Sequence, residues 1–351
     1  MENRNRKRLS VGKVLLILLI VLLALAAITA VMAWAYLNQM LGRIERVQPQ
    51  QQSMLSPSEA EALEETAPTR EEGYTGPVYE PEDITWPSEP PEEIKDNRIV
   101  NILLIGQDRR PGEPRQRSDA MILCTLNLGN KTITLTSFLR DMYVKIPGYN
   151  DNKINAAYQF GGMELLDATL EVNFGIHVDG NIEVDFSQFK TLIDLMGGVD
   201  IALTEAEANY INNRMDSALK AGMNHLNGEE ALQYSRIRYI GTDFGRTQRQ
   251  RTVLTALFEQ CKGASAAQLH TILGEACGLI TTDMSNAQIM DFFLDVLSVL
   301  DGMTIRSQRV PMDDSFTYGD INGRISCLFV DFEANREMLL RTLLPDDQEN
   351  P

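Results

Sequence analysis

The hydrophobic and polar positions divide this 351-residue chain into three regimes. Residues 14–37 read VLLILLIVLLALAAITAVMAWAYL, an uncharged apolar run in which only Thr29 is clearly polar. About 20 apolar residues cross a bilayer as a helix, so this run is long enough to span one. It exceeds the core of a cleaved signal peptide, which favours a retained anchor. Residues 38–96 lose all periodicity. From 44 to 96 there are eight of the fourteen prolines, and fourteen carboxylates against three basic residues. That composition predicts an extended spacer without a core.

Regular patterns begin at Asn97. Near-continuous apolar or β-branched runs at 99–105, 121–128 and 132–138 read as strands buried on both faces. Further short strands are expected at 181–184, 199–203, 304–310 and 325–329. Helical periodicity covers 154–173, 186–196, 228–239, 246–262, 266–279, 286–300 and 332–344. Alternation of this kind predicts an α/β fold, a three-layer α/β/α sandwich with a central mixed sheet, preceded by one transmembrane helix. The expected organisation is a cytoplasmic basic tail at 1–13, the membrane helix at 14–37, the spacer at 38–96, one folded domain at 97–345 and a tail at 346–351.

Charge adds an orientation. Arg4, Arg6, Lys7, Arg8 and Lys13 precede the apolar run, with Glu2 the one acid among them. Basic flanks stay on the cytoplasmic side, so the bulk of the chain is expected outside the cytoplasmic membrane. The net charge is −17, yet Arg236, Arg238, Arg246, Arg249 and Arg251 fall within one short stretch that holds a single carboxylate, Asp243. Arginine's planar fork suits phosphate, so a basic cluster in an acidic chain points to a polyanionic ligand. Arg236 and Arg238 lie about 200° apart on a helix. Either the helix ends near Ser235 or only one of them enters a site. Arg246, Arg249 and Gln250 share a helical face, which leaves Arg251 towards solvent. Asp243 is placed to cap that second helix.

Two carboxylates lie at the ends of one loop. In GQDRRPGEPRQRSDAM, Asp108 follows the first strand and Asp119 precedes the second, with Arg117 between them. Ligand sites of α/β folds favour such strand-end loops, and a pair of carboxylates there suits Mg²⁺. The alternative is a solvated charged loop. Arg140 and Asp141 follow the third strand and reach the same edge if the strands are neighbours; Lys153 starts the next helix. The sequence has no GxxxxGK, GxGxxG, HExxH or GxSxG motif, and His177, His225 and His270 are scattered. Cys124, Cys261, Cys277 and Cys327 form no CxxC pair, and whether Cys261 pairs with Cys277 stays open.

Taken in order, NILLIGQDRR, RSDAMIL, SFLRDMYV, KINAAYQFGG, GGVDI, LNGEEALQYSRIRY and DFGRTQRQ resemble the LytR-CpsA-Psr family of Gram-positive cell-envelope proteins. The resemblance covers about 97–257 and the membrane topology. It implies an extracytoplasmic phosphotransferase, of the polyisoprenyl-teichoic acid–peptidoglycan type, that moves a glycopolymer such as teichoic acid or capsular polysaccharide from an undecaprenyl-diphosphate carrier to peptidoglycan. It further implies that Asp108 and Asp119 hold Mg²⁺, with Asp119, Arg140 and Asp108 catalytic. Arg117, Arg140, Arg236, Arg238, Arg246 and Gln250 would hold the pyrophosphate. Which of Arg109 and Arg110 faces the site stays open. The competing readings are an envelope-associated regulator and a non-catalytic glycopolymer binder. Nucleic acid is not expected as a partner, because the cluster would lie outside the membrane.

Overall fold

A computed structural model describes residues 32, 35–47, 53–66, 76–84, 86–87, 91–108, 115–240, 242–300 and 302–345. The basic tail, most of the apolar run 14–37, the tail 346–351, Arg109 and Arg110 lie outside the described residues. Among the described residues no helix is long and apolar enough to cross a membrane.

The chain builds a mixed α/β fold around a seven-stranded sheet. Its strands are β1 (Glu45–Arg46), β2 (Ile99–Gln107), β3 (Ala120–Asn127), β4 (Thr132–Phe138), β5 (Gly180–Asp185), β6 (Thr281–Thr282) and β7 (Thr304–Val310). The spatial order is β1-β6-β5-β2-β3-β4-β7. β2, β3 and β4 form an antiparallel meander, while β5 joins β2 and β7 joins β4 in parallel. The helices are α1 (Pro57–Thr66), α2 (Ile154–Phe174), α3 (Phe186–Leu195), α4 (Glu205–Asn212), α5 (Gly228–Ser235), α6 (Thr242–Gly263), α7 (Ala266–Ala276), α8 (Asn286–Val299) and α9 (Phe332–Leu343).

Both faces of the meander are buried, which explains its near-continuous apolar runs. Leu103, Ile105, Met121 and Leu123 pack with Phe160, Leu166 and Leu170 of α2 and Leu339 of α9. The alternate positions Ile122, Cys124, Leu126, Ile133 and Leu135 pack with Leu254 and Phe258 of α6 and Phe292 and Val296 of α8. Helices therefore cover the sheet on each side. Gly162 breaks α2 with a φ of 67°, a conformation that costs glycine little.

Two expectations need correction. The region 38–96 is not a free spacer where it is described. β1 adds an edge strand beside β6, and Val78–Tyr79 pairs with Asp320 and Ile321 of a separate sheet formed by Phe316–Ile321 and Ile325–Val330. Tyr149 Oη donates to Leu55 O at 2.5 Å, Ala60 is buried, and Trp86 packs on Tyr143 and Phe332. Isolated apolar anchors between prolines leave no period for a sequence window to detect. The helix expected to reach 239 stops at Ser235, and its successor starts at Thr242 rather than Arg246. The strand expected at 199–203 is present and pairs with Gly222–Leu226 in a ribbon apart from the main sheet.

Arg249 explains how the turn between α5 and α6 is held. Its Nε donates to Glu207 Oε1 at 2.7 Å, and its Nη atoms donate to the carbonyls of Ile237 (3.1 Å) and Ile240 (2.8 Å). Burial alone would raise the Glu207 carboxyl, but hydrogen bonds from Thr204 and Arg249 outweigh it and hold its pKa below the usual 4.5. A depressed folded-state pKa gives stability that is present above 4.5 and lost as pH falls through the lower folded value. Arg249→Ala strands a buried carboxylate, at a cost of about 3–5 kcal/mol. Chemical denaturation at neutral pH checks this; an unchanged midpoint would contradict it.

Candidate active site

Chain direction assembles the site at one edge of the sheet. β2 and β3 are antiparallel, so the exit of one and the entry of the other meet. Gly106 pairs with Ala120, and Asp119 N donates to Gly106 O at 2.8 Å. Asp108 and Asp119 consequently stand at that edge. β4 runs the same way as β2, so Arg140, two residues beyond it, arrives there too.

The Arg140 Nη1 donates to Asp119 Oδ1 at 2.6 Å. Arg238 Nη2 and Arg246 Nη1 approach the same oxygen at 3.5 and 3.7 Å, and Arg236 Nη2 lies 3.7 Å from Asp108 Oδ2. Because α5 ends at Ser235, Arg236 and Arg238 flank the buried Ile237 in a non-helical segment, and both reach a carboxylate. Helical geometry would have separated them.

The cluster is partly desolvated. Arg246 has a side chain only 3% exposed and donates from Nη2 to Asp243 Oδ2 at 3.0 Å. Burial, with Arg140 and Arg238 nearby, lowers its pKa from the ordinary arginine value against the opposing pull of Asp243 and Asp119. For Arg140, burial pulls downward but the carboxylates of Asp141, Asp243 and Asp119 outweigh it and raise the pKa. Behind it, burial would raise the Asp141 carboxyl, but Lys153, at 2.9 Å, and Arg140 hold it below the usual range. Four buried polar atoms at the site have no hydrogen-bond partner: Arg140 Nε, Asn155 Oδ1, Arg246 Nε and Gln250 Oε1. Buried polar groups are normally satisfied, so their state suits a site built for a polar ligand.

Two cavities meet at the carboxylates. One, of about 400 Å³, is lined by Asp108, Asp119, Arg117, Arg140, Asn155 and Gln159, with Leu63 and Glu64 of α1 closing a side. The other, of about 480 Å³, shares Asp108 and Asp119 and takes Arg236, Arg238, Arg246 and Gln250. A larger cavity of about 770 Å³, between α1 and residues 321–325, contains none of these arginines. Volume alone would misplace the chemistry.

Not every expected residue behaves as its sequence position suggested. Arg117 donates to Glu64 and, at 3.3 Å, to Gln159 Oε1, so its charge already has a partner. Arg251 is buried, not exposed: its Nε donates to Ser307 Oγ of β7 at 2.7 Å, and burial lowers its pKa to about 10. A helix lying on a sheet buries more than one stripe. Asn155, Gln159, Phe186, Tyr210, Arg214 and Gln233 line the cavities without having been singled out. Asn155 and Gln159 sit inside the quoted KINAAYQ segment, a usable signal, whereas nothing around Tyr210 and Arg214 marks them. All four cysteines are free, and burial raises the Cys124 and Cys327 thiols to about 12, which disfavours a thiolate nucleophile.

The donor set is compatible with a hydrated divalent cation. Among the described residues no group of three or more His, Cys, Asp or Glu side chains could hold a metal alone. Mg²⁺ needs less from a protein, commonly one or two carboxylates with the rest from phosphate and water. The nearest guanidinium contacts to Asp119 fall on Oδ1.

Known proteins share this fold. The chain is 31% identical over 250 residues to "Regulatory protein MsrR" of Staphylococcus aureus (strain COL), covering 70% of this chain and 75% of that one. It is 37% identical over 211 residues to "Polyisoprenyl-teichoic acid--peptidoglycan teichoic acid transferase TagU" of Bacillus cereus, covering 58% and 66%. The solved structure of the LytR-CPS2A-psr family protein YwtF (TagT), with bound octaprenyl pyrophosphate lipid, shares the fold. It superposes with a TM-score of 0.56 at 23% identity, over 73% of this chain and 97% of that one. The sequence model of the LytR_cpsA_psr family matches residues 63–339, so the chain belongs to that family.

Proposed function

We propose that the chain is a membrane-anchored, extracytoplasmic phosphotransferase that attaches a glycopolymer from an undecaprenyl-diphosphate carrier to peptidoglycan. The observation that carries this reading is the placing of Asp108 and Asp119 where two cavities meet, with arginines lining each. Arg236, Arg238, Arg246 and Gln250 would grip the diphosphate. Arg140, braced between Asp119 and Asp141, would hold the phosphoryl group under attack. An acceptor hydroxyl entering through the second opening would reach the same phosphorus. The bond formed joins that phosphorus to the acceptor oxygen, and the bond broken, the phosphorus–oxygen bond between the two phosphates, releases polyprenyl monophosphate, whose new terminal oxygen can take up the proton the hydroxyl loses. Preorganised cations facing developing negative charge are a large source of rate enhancement.

Mg²⁺ would be held by Asp108 and Asp119 and would neutralise charge on the leaving phosphate. TagU is named for such a transfer and the YwtF structure holds a polyprenyl pyrophosphate, which supports the same chemistry here. The relative MsrR carries a regulatory name. Paired carboxylates beside an anion site favour catalysis over simple binding, since they repel the anion and are useful only with a cation. The anchor at 14–37 would keep the domain beside its lipid-borne donor.

The test is transfer of a labelled lipid-linked glycan to peptidoglycan by the full chain in detergent. Transfer with Mg²⁺ and its loss with chelator are expected; binding without transfer under any divalent cation would leave only the binder reading. Protease added to wall-stripped cells should also degrade the domain, and protection of it would overturn the topology.

A further inference from the structure

The largest of the three cavities, about 770 Å³, has no part in gripping a diphosphate, yet it adjoins the active site. Glu64 lines both this cavity and the one that holds Arg117 and Arg140. Its wall is otherwise acidic: Glu61, Glu65 and Asp151 stand there, and Arg324 is the one basic residue among the described residues that line it. Tyr143–Val144 pairs antiparallel with Asn152–Lys153, so Tyr143 and Asp151 belong to one short hairpin, and both line the cavity. Tyr143 is only 5% exposed, its ring held by Trp86 and Phe329 at centroid distances of 6.1 and 5.8 Å. Among the described residues neither its Oη nor the Asp151 carboxylate has a hydrogen-bond partner. Burial first, and then the nearby charge of Asp151, push the Tyr143 phenol up, so it stays neutral. Burial also raises the Asp151 carboxyl, against the pull of Lys145. That lysine is engaged elsewhere, its ammonium lying over the Trp86 ring at 5.1 Å.

We propose that Asp151 and Tyr143 bind a primary ammonium group carried by the peptide of the acceptor. This rests on the phosphotransferase reading above and names the part of the acceptor that docks beside the reacting hydroxyl. Buried polar groups are normally satisfied, and these two lack the same thing, a donor. An ammonium has three N–H donors and no acceptor, so one such group serves the carboxylate and the phenol oxygen together. The neighbouring Glu61 and Glu65 add negative potential that favours a cation and repels phosphate, which sets the cavity apart from the donor's anion site. An isoprenoid chain would strand those carboxylates against hydrocarbon. Position selects the acceptor. The cavity meets the Arg117 and Arg140 opening at Glu64, whereas Arg236, Arg238, Arg246 and Gln250 line the other. Peptidoglycan carries on its sugar a short peptide that includes a diamino acid. Three extended residues span roughly 10 Å, a reach that calls for an adjoining cavity and not the reaction site itself. A hydroxyl of the sugar can then face the phosphorus while the amine is held next door.

The experiment compares two probes on the full chain in detergent: a muramyl tripeptide ending in lysine, and the same compound with the lysine side chain acetylated. Farnesyl diphosphate binding is measured on each preparation as the reference for the diphosphate site. The wild-type chain should bind the free amine about tenfold more tightly than the acetylated form, the size of one charge-assisted contact. Asp151→Asn, which keeps shape and removes charge, should erase that preference. Tyr143→Phe, which keeps the ring packing, should reduce it. Both variants should hold farnesyl diphosphate within roughly twofold of the wild type. Equal binding of the two tripeptides by the wild type, or a preference that survives in Asp151→Asn, would overturn the ammonium site and leave the diphosphate site standing. Failure of the wild type to bind farnesyl diphosphate would instead remove the phosphotransferase reading, and the acceptor's ammonium with it.

Discussion

Asp119→Asn should abolish glycan transfer while diphosphate binding survives or tightens. The side chain stands among Arg140, Arg238 and Arg246, and its backbone is fixed by the hydrogen bond to Gly106. The asparagine substitution keeps shape and removes charge. Three guanidiniums then lose their counter-charge, which makes the cavity more attractive to an anion, so the dissociation constant for a polyprenyl diphosphate should not rise. Rate behaves oppositely. With one carboxylate left, Asp108, the site would hold a divalent cation less firmly against the leaving phosphate. Metal sites commonly supply several kcal/mol here, equivalent to roughly two orders of magnitude in rate or more. Binding and single-turnover transfer measured on one preparation separate the two effects. Near-wild-type turnover in Asp119→Asn, or turnover indifferent to chelator in the wild type, would return the two aspartates to the status of a charged loop.

Arg246→Ala should weaken polyprenyl diphosphate binding roughly ten- to a hundredfold, the 1.5–3 kcal/mol of a charge-assisted contact. Arg246 is already buried and has an unpartnered Nε, so an anion meets a cation whose desolvation was met on folding. Arg246→Lys should fall between, since it keeps the charge but loses the fork. Arg251→Met is the control. It lies five residues along the same helix but turns to Ser307 of β7, so it should leave affinity unchanged. Equal losses at Arg246 and Arg251 would mean that both act through the fold.

The strands and long helices of the central sheet were legible because burial on both faces leaves an unbroken apolar signature. Phe138 and Leu123 could hardly lie anywhere else. The α4 helix was missed since EAEANYIN buries only Glu207, Ala208 and Ile211, too few for a visible stripe. The region 38–96 was misread for the related reason that Leu55, Ala60 and Trp86 are single anchors separated by proline and acid. At the site, strand adjacency was enough to bring Asp108, Asp119 and Arg140 together. What could not be read was the direction of long side chains. Arg117 turns to Glu64, on a helix the sequence did not announce, and Arg251 turns inward to a strand far away in the chain. Tyr210 and Arg214 depend on the same missed helix and its end. A domain excised at Asn97 would lose the α1 wall of one cavity, so binding studies need the chain from residue 37 onward.

The central claim is that the bond broken is the phosphorus–oxygen bond between the two phosphates of the carrier. Analysis of the lipid product decides it. After transfer from a polyprenyl-diphosphate glycan labelled in both phosphates, polyprenyl monophosphate should appear mole for mole with glycan on peptidoglycan, the second phosphate remaining with the glycan. Release of polyprenyl diphosphate, with no phosphate on the transferred glycan, would mean attack at the sugar carbon and would contradict the account.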